Sequence, residues 1–249
     1  QGLGGCCGTT PEYIEKMIQL VKDLPFVPNT KKDRSWVTSY SMGVEIGPKP
    51  LIIGERINPT GKKRFKQALR DRDIDYILAQ ALEQEDAGAH ILDVNVGLPE
   101  IDEPSMMEAV IQRLQAVTAL PLQIDTSDIE ALERAMRIYN GKPMVNSVNG
   151  KWENMEAVFP LIQKYGAVIV GLCLDEEGIP DSADARFTIA QKIYDQAKEY
   201  GIEPKDKGKT GRPYDLRRVQ HFFWITAARD CQCRFLYDGY DEWFIVCDH

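Results

Sequence analysis

The hydrophobic pattern of this chain changes along its length. From Pro11 to Leu24, "PEYIEKMIQLVKDL", the apolar residues Ile14, Ile18 and Val21 form a stripe that predicts a helix. Thr10 is placed to cap it, and Pro11 suits its first turn. From Pro25 to Pro50 neither the strand nor the helix period persists among Pro, Lys, Ser and Gly, which predicts a linker.

A different rhythm begins at Leu51. Short apolar runs alternate with helical stretches: "LIIGERIN" from Leu51, "HILDVNVG" from His90, "PLQIDTS" from Pro121, "PMVNSVNG" from Pro143 and "AVIVGLCLD" from Ala167. One intervening segment carries Met106, Val110, Leu114 and Val117 on one face. A second carries Ile129, Leu132, Met136 and Tyr139, with Ser127 or Asp128 as cap, and a third runs from Asp184 to Tyr200. Apolar strands each followed by a helix predict βα units and a parallel sheet covered on both faces.

Five such strands fit a doubly wound sheet by number. A complete (β/α)₈ barrel needs about 250 residues, and this region ends near Lys205. The strand ends favour the barrel type in incomplete form, with about five βα units. Each run ends in polar residues: Glu55, Arg56 and Asn58; Asp93 and Asn95; Asp125; Asn146 and Asn149; Asp175. Contributions from every strand converging on one point suit a barrel mouth, whereas a doubly wound sheet concentrates its site at a switch point.

From Asp206 the character changes again. This tail holds nine of the chain's 22 aromatic residues and three of its six cysteines, without a βα rhythm. The expected organisation is residues 1–24 as a remnant of a preceding domain, 25–50 as linker, 51–205 as the partial barrel and 206–249 as a divergent tail. The abrupt break at Asp206 fits translation in a shifted frame or a junction. The chain also begins with Gln, which suggests a fragment.

Charge and composition narrow the functions. A net charge of −8 argues against a nucleic-acid backbone as main partner. No apolar run approaches the roughly 18 residues of a membrane span, and the Gly-rich start is not a signal peptide. Cys6, Cys7, Cys173, Cys231, Cys233 and Cys247, without a secretory signal, favour reduced thiols or metal ligands, and hence a cytoplasmic protein.

Two Gly-rich stretches fail as nucleotide motifs. "GLGGCC" has Cys7 where the dinucleotide fingerprint needs its third glycine, and "GKT" at Gly208 has Glu203 where a phosphate loop begins with Gly. The adjacent Cys6 and Cys7 can reach one ion only if the backbone turns there, which the flanking glycines permit. They read as half of a zinc site or as two small residues closing a strand. Cys231-x-Cys233 lacks a second ligand pair, and His221 and His249 add no recognisable spacing. The strand-end acids and amides read either as caps and turns or as a site. Carboxylates among carboxamides suit a flat heterocycle with amide and amino edges. Asp125 could accept paired hydrogens from an amino-pyrimidinone, and Asn95 and Asn146 could each donate and accept. Basic residues near them are few: Arg56 and the loop Lys62, Lys63 and Arg64.

Taken together, these stretches resemble cobalamin-dependent methionine synthases. "GGCCGTTPEYI" looks like the end of that family's homocysteine-binding barrel. "IIGERINPTGKKRFKQAL", "DAGAHILDVNVGLPEIDEP", "LQIDTSD", "MVNSVNGK" and "YGAVIVGLCLDEEGIP" look like successive parts of its methyltetrahydrofolate-binding barrel. That barrel is similar in turn to dihydropteroate synthase and to corrinoid-linked methyltransferases. The resemblance covers roughly Gly4 to Lys205. It implies 5-methyltetrahydrofolate as substrate, contacted by Glu55, Asn58, Asp93, Asn95, Asp125 and Asn146. It also implies zinc at Cys6 and Cys7, whose third cysteine in the family lies upstream and is absent here. Cobalamin, carried by a cobalamin-binding domain or corrinoid protein, is the implied methyl acceptor on the way to homocysteine. Polarisation of the methylated nitrogen while the methyl leaves is the implied catalytic contribution.

The sequence departs from that family after "YGIEPKD". The sixth strand ending Asp-Pro, and the later unit that supplies an Asn near the methylated nitrogen, find no match. Without the eighth strand that normally pairs with the first, both edges of the sheet are expected to lie open. The competing readings are a stand-alone corrinoid or folate methyltransferase, a dihydropteroate synthase-like enzyme, and a pterin-binding or inactive product without catalysis.

Overall fold

The computed structural model describes residues 3–27, 35–46, 51–202, 222–226, 234–237 and 242–246. The chain divides into two units, residues 1–31 and 32–249.

The first unit contains α1 (Pro11–Val21). The predicted helix is present but ends three residues before Leu24. Its sheltered face is Ile14, Met17 and Val21, while Ile18 is 57% exposed. Thr10 takes the extended conformation of an N-cap, but its side chain makes no capping hydrogen bond.

The second unit is an α/β sheet protein of incomplete barrel type. Five strands run parallel in chain order: β3 (Leu51–Ile57), β4 (Ile91–Val94), β5 (Leu122–Asp125), β6 (Met144–Asn149) and β7 (Val168–Leu172). Helices α2 (Lys63–Asp71) and α3 (Ile74–Asp86) follow β3. α4 (Glu103–Val117), α5 (Ile129–Ile138), α6 (Trp152–Tyr165) and α7 (Ala183–Glu199) follow the next four strands in turn. Local chemistry fixes their starts: Asp73, Asp102, Asp128 and Ser182 each accept a main-chain N–H of the following first turn. Lys63 and Arg64, read above as loop, are the first residues of α2.

Alternate residues of each strand face opposite ways. Leu92, Val94, Leu122, Ile124, Val145, Val148 and Ile169 pack with the apolar faces of the helices in one large core. Ile53, Ile91, Met144, Val168 and Val170 form a second core on the other face, the barrel interior. Bulges in β3, between Gly54 and Ile57, and in β6, between Asn146 and Val148, shift the register. They turn Ile57 and Val148 outward to the helices while Glu55 and Asn146 stay inward.

The stretch expected to be a linker holds an antiparallel hairpin, β1 (Ser35–Thr38) and β2 (Gly43–Ile46). Val37, Val44 and Ile46 insert into the interior core beside Leu51, Ile53, Ile91, Met144 and Val168. These lie at the amino ends of the parallel strands, so the hairpin closes the bottom of the partial barrel. Thr38 exchanges main-chain hydrogen bonds with Lys142, at 2.9 and 3.1 Å. The Tyr139 hydroxyl donates to the Thr38 carbonyl at 3.0 Å and accepts from the Leu122 N–H at 3.0 Å. Gly141 makes this approach possible, since a Cβ there would lie 2.2 Å from the Thr38 oxygen. Each strand contributes too few apolar residues for periodicity to register.

The expectation of open sheet edges is also corrected. β8 (Phe222–Thr226) pairs antiparallel with β7, and β10 (Glu242–Val246) pairs antiparallel with β3 and with β9 (Arg234–Tyr237). Tail strands thus cover both edges of the five-stranded parallel sheet. A hydrogen-bonding edge accepts any extended backbone of suitable length, so these pairings required no βα unit.

Candidate functional site

The inward face of the parallel strands changes character along its length. Apolar Ile53, Ile91, Met144 and Val168 lie at the amino end. One pleat repeat further along these strands lie Glu55, Asp93, Asn146 and the apolar Val170, with Asn95 another repeat beyond Asp93. Strand register sets Asp93 beside Gln123, and Asp125 beside Asn146. All six residues expected from the sequence to meet the ligand therefore gather at the carboxyl ends of β3 to β6. The other strand-end polar residues have local duties. Asn149 accepts from the Lys151 N–H at 3.0 Å, and Asp175 from the Glu177 N–H at 3.0 Å, each within a turn. Arg56 is exposed.

The carboxamides bracket the carboxyls. Asn58, only 5% exposed, donates to Glu55 Oε1 at 3.2 Å and accepts from the Thr60 N–H at 2.8 Å. Asn95 donates to Asp125 Oδ2 at 2.9 Å and accepts from the Gly97 N–H at 2.9 Å. Each amide carries two hydrogens and its oxygen two lone pairs. Asn95, read from sequence as a bidentate ligand contact, therefore keeps one donor and one acceptor position after holding Asp125. The Lys62 ammonium donates to the Glu55 carbonyl at 2.8 Å.

Acids from three neighbouring strands share this face. Asp93 is 2% exposed, and its carboxyl is pushed well above the usual range. Burial is the main cause, reinforced by Asp125 and Glu55 and opposed by hydrogen bonds from Gln123 and Asn146. Asp125 is pushed up to about 6, mainly by burial; Asn95 opposes this and Glu103 adds to it. Burial thus favours the protonated, donating form of Asp93, while Asp125, at about 6, is mostly charged and accepting at neutral pH. Such a set can hydrogen-bond both the donor and the acceptor edges of a flat heterocycle.

Sequence reasoning missed four contributors. Gln123 donates to Asp93 from the neighbouring strand; its position two before Asp125 in "LQIDTS" already placed it on the same face. Thr126 donates its hydroxyl to Glu103, at the start of α4. Both line a cavity of about 570 Å³ together with Thr60, Asn95 and Gly97. No sequence spacing links that helix terminus to Thr126. Gln84, on α3, accepts from the Arg56 N–H at 2.7 Å and so supports the β3 bulge that aims Glu55 inward.

Cys6 and Cys7 lie exposed in the first unit. The chain turns there, with the Thr9 N–H bonded to the Cys6 carbonyl at 2.9 Å and Gly8 at φ 83°. Among the described residues no group of three His, Cys, Asp or Glu side chains is placed to hold a metal. Two thiols alone do not complete a tetrahedral zinc site. Cys173 is buried, and burial pushes its thiol up to about 12, which makes it inert. Cys231, Cys233, Cys247, His221 and His249 lie outside the described residues. Among the described residues no helix is long and apolar enough to cross a membrane.

A polar layer of this kind at the mouth of a partial α/β barrel is suited to take up a small molecule. Residues 54–206 match the family described as pterin binding enzyme, and the chain belongs to that family. Methionine synthase from Mycobacterium leprae (strain TN) is 30% identical over 214 residues, covering 81% of this chain and 18% of that protein. Methionine synthase from Mycobacterium tuberculosis (strain ATCC 25618 / H37Rv) is 30% identical over 209 residues, with the same coverage of 81% and 18%. The chain thus spans about 18% of the length of these relatives. Among solved structures, dihydropteroate synthase from Xanthomonas albilineans with 4-aminobenzoic acid superimposes with a TM-score of 0.50 at 18% identity. That match covers 75% of this chain and 70% of the synthase, and it supports the fold.

Proposed function

We propose that this chain is the folate-binding part of a methionine synthase-type methyltransferase and that its ligand is 5-methyltetrahydrofolate. The observation that carries the reading is the inward layer of Glu55, Asp93, Asp125 and Asn146, braced by Asn58 and Asn95. A pterin ring presents adjacent amino and ring N–H donors and a carbonyl acceptor. Asp125 in its charged form accepts the paired donors, and Asn146 serves a neighbouring edge. Burial favours the protonated form of Asp93 in the free protein, so a proton is at hand to be given up as the pterin binds. The chain's own work is to bind, orient and polarise the pterin.

Cobalamin would supply the nucleophile that accepts the methyl group, held by a cobalamin-binding domain or corrinoid protein, before transfer to homocysteine. Cys6 and Cys7 belong in this reading to a zinc site completed by a ligand from elsewhere, and no step is derived through it. The setting proposed is cytoplasmic. The relatives' names favour this reading over a dihydropteroate synthase-like activity.

Calorimetric titration with 5-methyltetrahydrofolate at pH 7 tests the proposal. Saturable binding that Asp125→Ala weakens at least tenfold is expected. Heat no different from dilution would overturn it. Binding without methyl transfer to added reduced cobalamin would reduce the chain to a pterin-binding module.

A further inference from the structure

Gln123 is 5% exposed on the inner face of β5, in register with Asp93 on β4. Its amide donates to Asp93 Oδ1, while its own Oε1 is buried without a partner among the described residues. This orientation leaves an acceptor unsatisfied, which is unfavourable. Turning the amide over would satisfy Oε1 only if Asp93 carried a proton to donate. The amide orientation and the charge of Asp93 are therefore locked together.

The groups facing Asp93 act on that charge in both directions. Glu55 from β3 and Asp125 from β5 oppose it, as does burial. Gln123 from β5 and Asn146 from β6 support it by hydrogen bonds. The ammonium of Lys62, from the loop after β3, is engaged with the Glu55 carbonyl. Gln123 is thus one of two amides that sustain the charged form.

We propose that Gln123 is a positioning residue for Asp93, holding its carboxyl in the charged orientation that accepts a ligand N–H and coupling ligand capture to release of the Asp93 proton. This rests on the pterin-binding reading above. Gln123 acts through Asp93, not on the ligand directly.

The test is the pH dependence of 5-methyltetrahydrofolate binding to the full chain, from pH 5.5 to 8.5. Gln123→Leu is expected to weaken binding about tenfold at pH 7, the equivalent of one lost hydrogen bond to a charged group. The pH of half-maximal affinity should move upward, so that high pH restores much of the loss. In an Asp93→Asn background the same substitution should change affinity less than twofold. A pH-independent loss, or an equal loss in that background, would show a merely structural role and overturn the proposal. Thermal melts establish that each variant folds; Gln123→Met, which keeps the length of the side chain, replaces Gln123→Leu if that variant does not. Failure of the unsubstituted chain to bind would instead sink the pterin-binding reading, and this inference with it.

Discussion

Asp125 gives the sharpest stability prediction. Its carboxyl rises from an ordinary value of 3.8 to about 6 on folding, chiefly through burial. A raised acid favours the native state fully below 3.8, and that contribution is lost as pH rises through about 6. A shift of this size corresponds to about 3 kcal/mol between the two limits, taken as an order of magnitude. Asp93 shifts in the same direction, partly because of Asp125. Asp125→Asn keeps the shape and can still accept from Asn95, yet carries no charge. The variant should therefore be more stable than the natural chain at pH 8, by about 1 to 3 kcal/mol, and equal to it within about 1 kcal/mol at pH 4. Urea unfolding at both pH values measures this directly. Other carboxyls, such as the lowered Asp102, remain in both proteins and cancel in the comparison. Destabilisation of the variant at pH 8, or an unchanged difference between the two pH values, would refute the assignment of a buried, repelled carboxylate. The same substitution should weaken 5-methyltetrahydrofolate binding, because the charge unfavourable to folding is the one that would accept the ligand's donors.

Further predictions follow from neighbouring contacts. Gly54→Ala would place a Cβ 2.5 Å from Gln84 Oε1, which the Arg56 N–H needs; chemical denaturation should show a loss of about 1–3 kcal/mol and titration a weaker ligand. Tyr139→Phe strips the shared partner from the Thr38 carbonyl and the Leu122 N–H. It should cost about 1–3 kcal/mol and speed proteolysis within residues 38–43, and unchanged cleavage would contradict the docking of the hairpin. Glu103→Gln removes a negative charge that helps hold Asp125 high. The pH midpoint of ligand binding should then fall, and a rise would contradict that electrostatic role. Cys6→Ser with Cys7→Ser should leave folate affinity unchanged, as titration would show.

The alternation of apolar strands and amphipathic helices from Leu51 onward was legible in the chain because burial on both faces demands it. The strand-end acids and amides were legible for a related reason. A barrel strand turns its side chains alternately inward, so polar residues at its carboxyl end mark the mouth. Even Gln123 lay within reach of that rule, two positions before Asp125. Tertiary structure alone decided the rest. The hairpin at Ser35–Ile46 owes its place to a complementary apolar hollow rather than to any period of its own. Gln84 and Glu103 matter because folding brings α3 against a bulge and the start of α4 against Thr126. The edge strands of the tail depend on which backbone lies beside which. Local sequence specifies the direction in which a side chain leaves its element. Partners distant in the chain, and the proton affinities they impose on Asp93 and Asp125, exist only once packing has excluded water from between them.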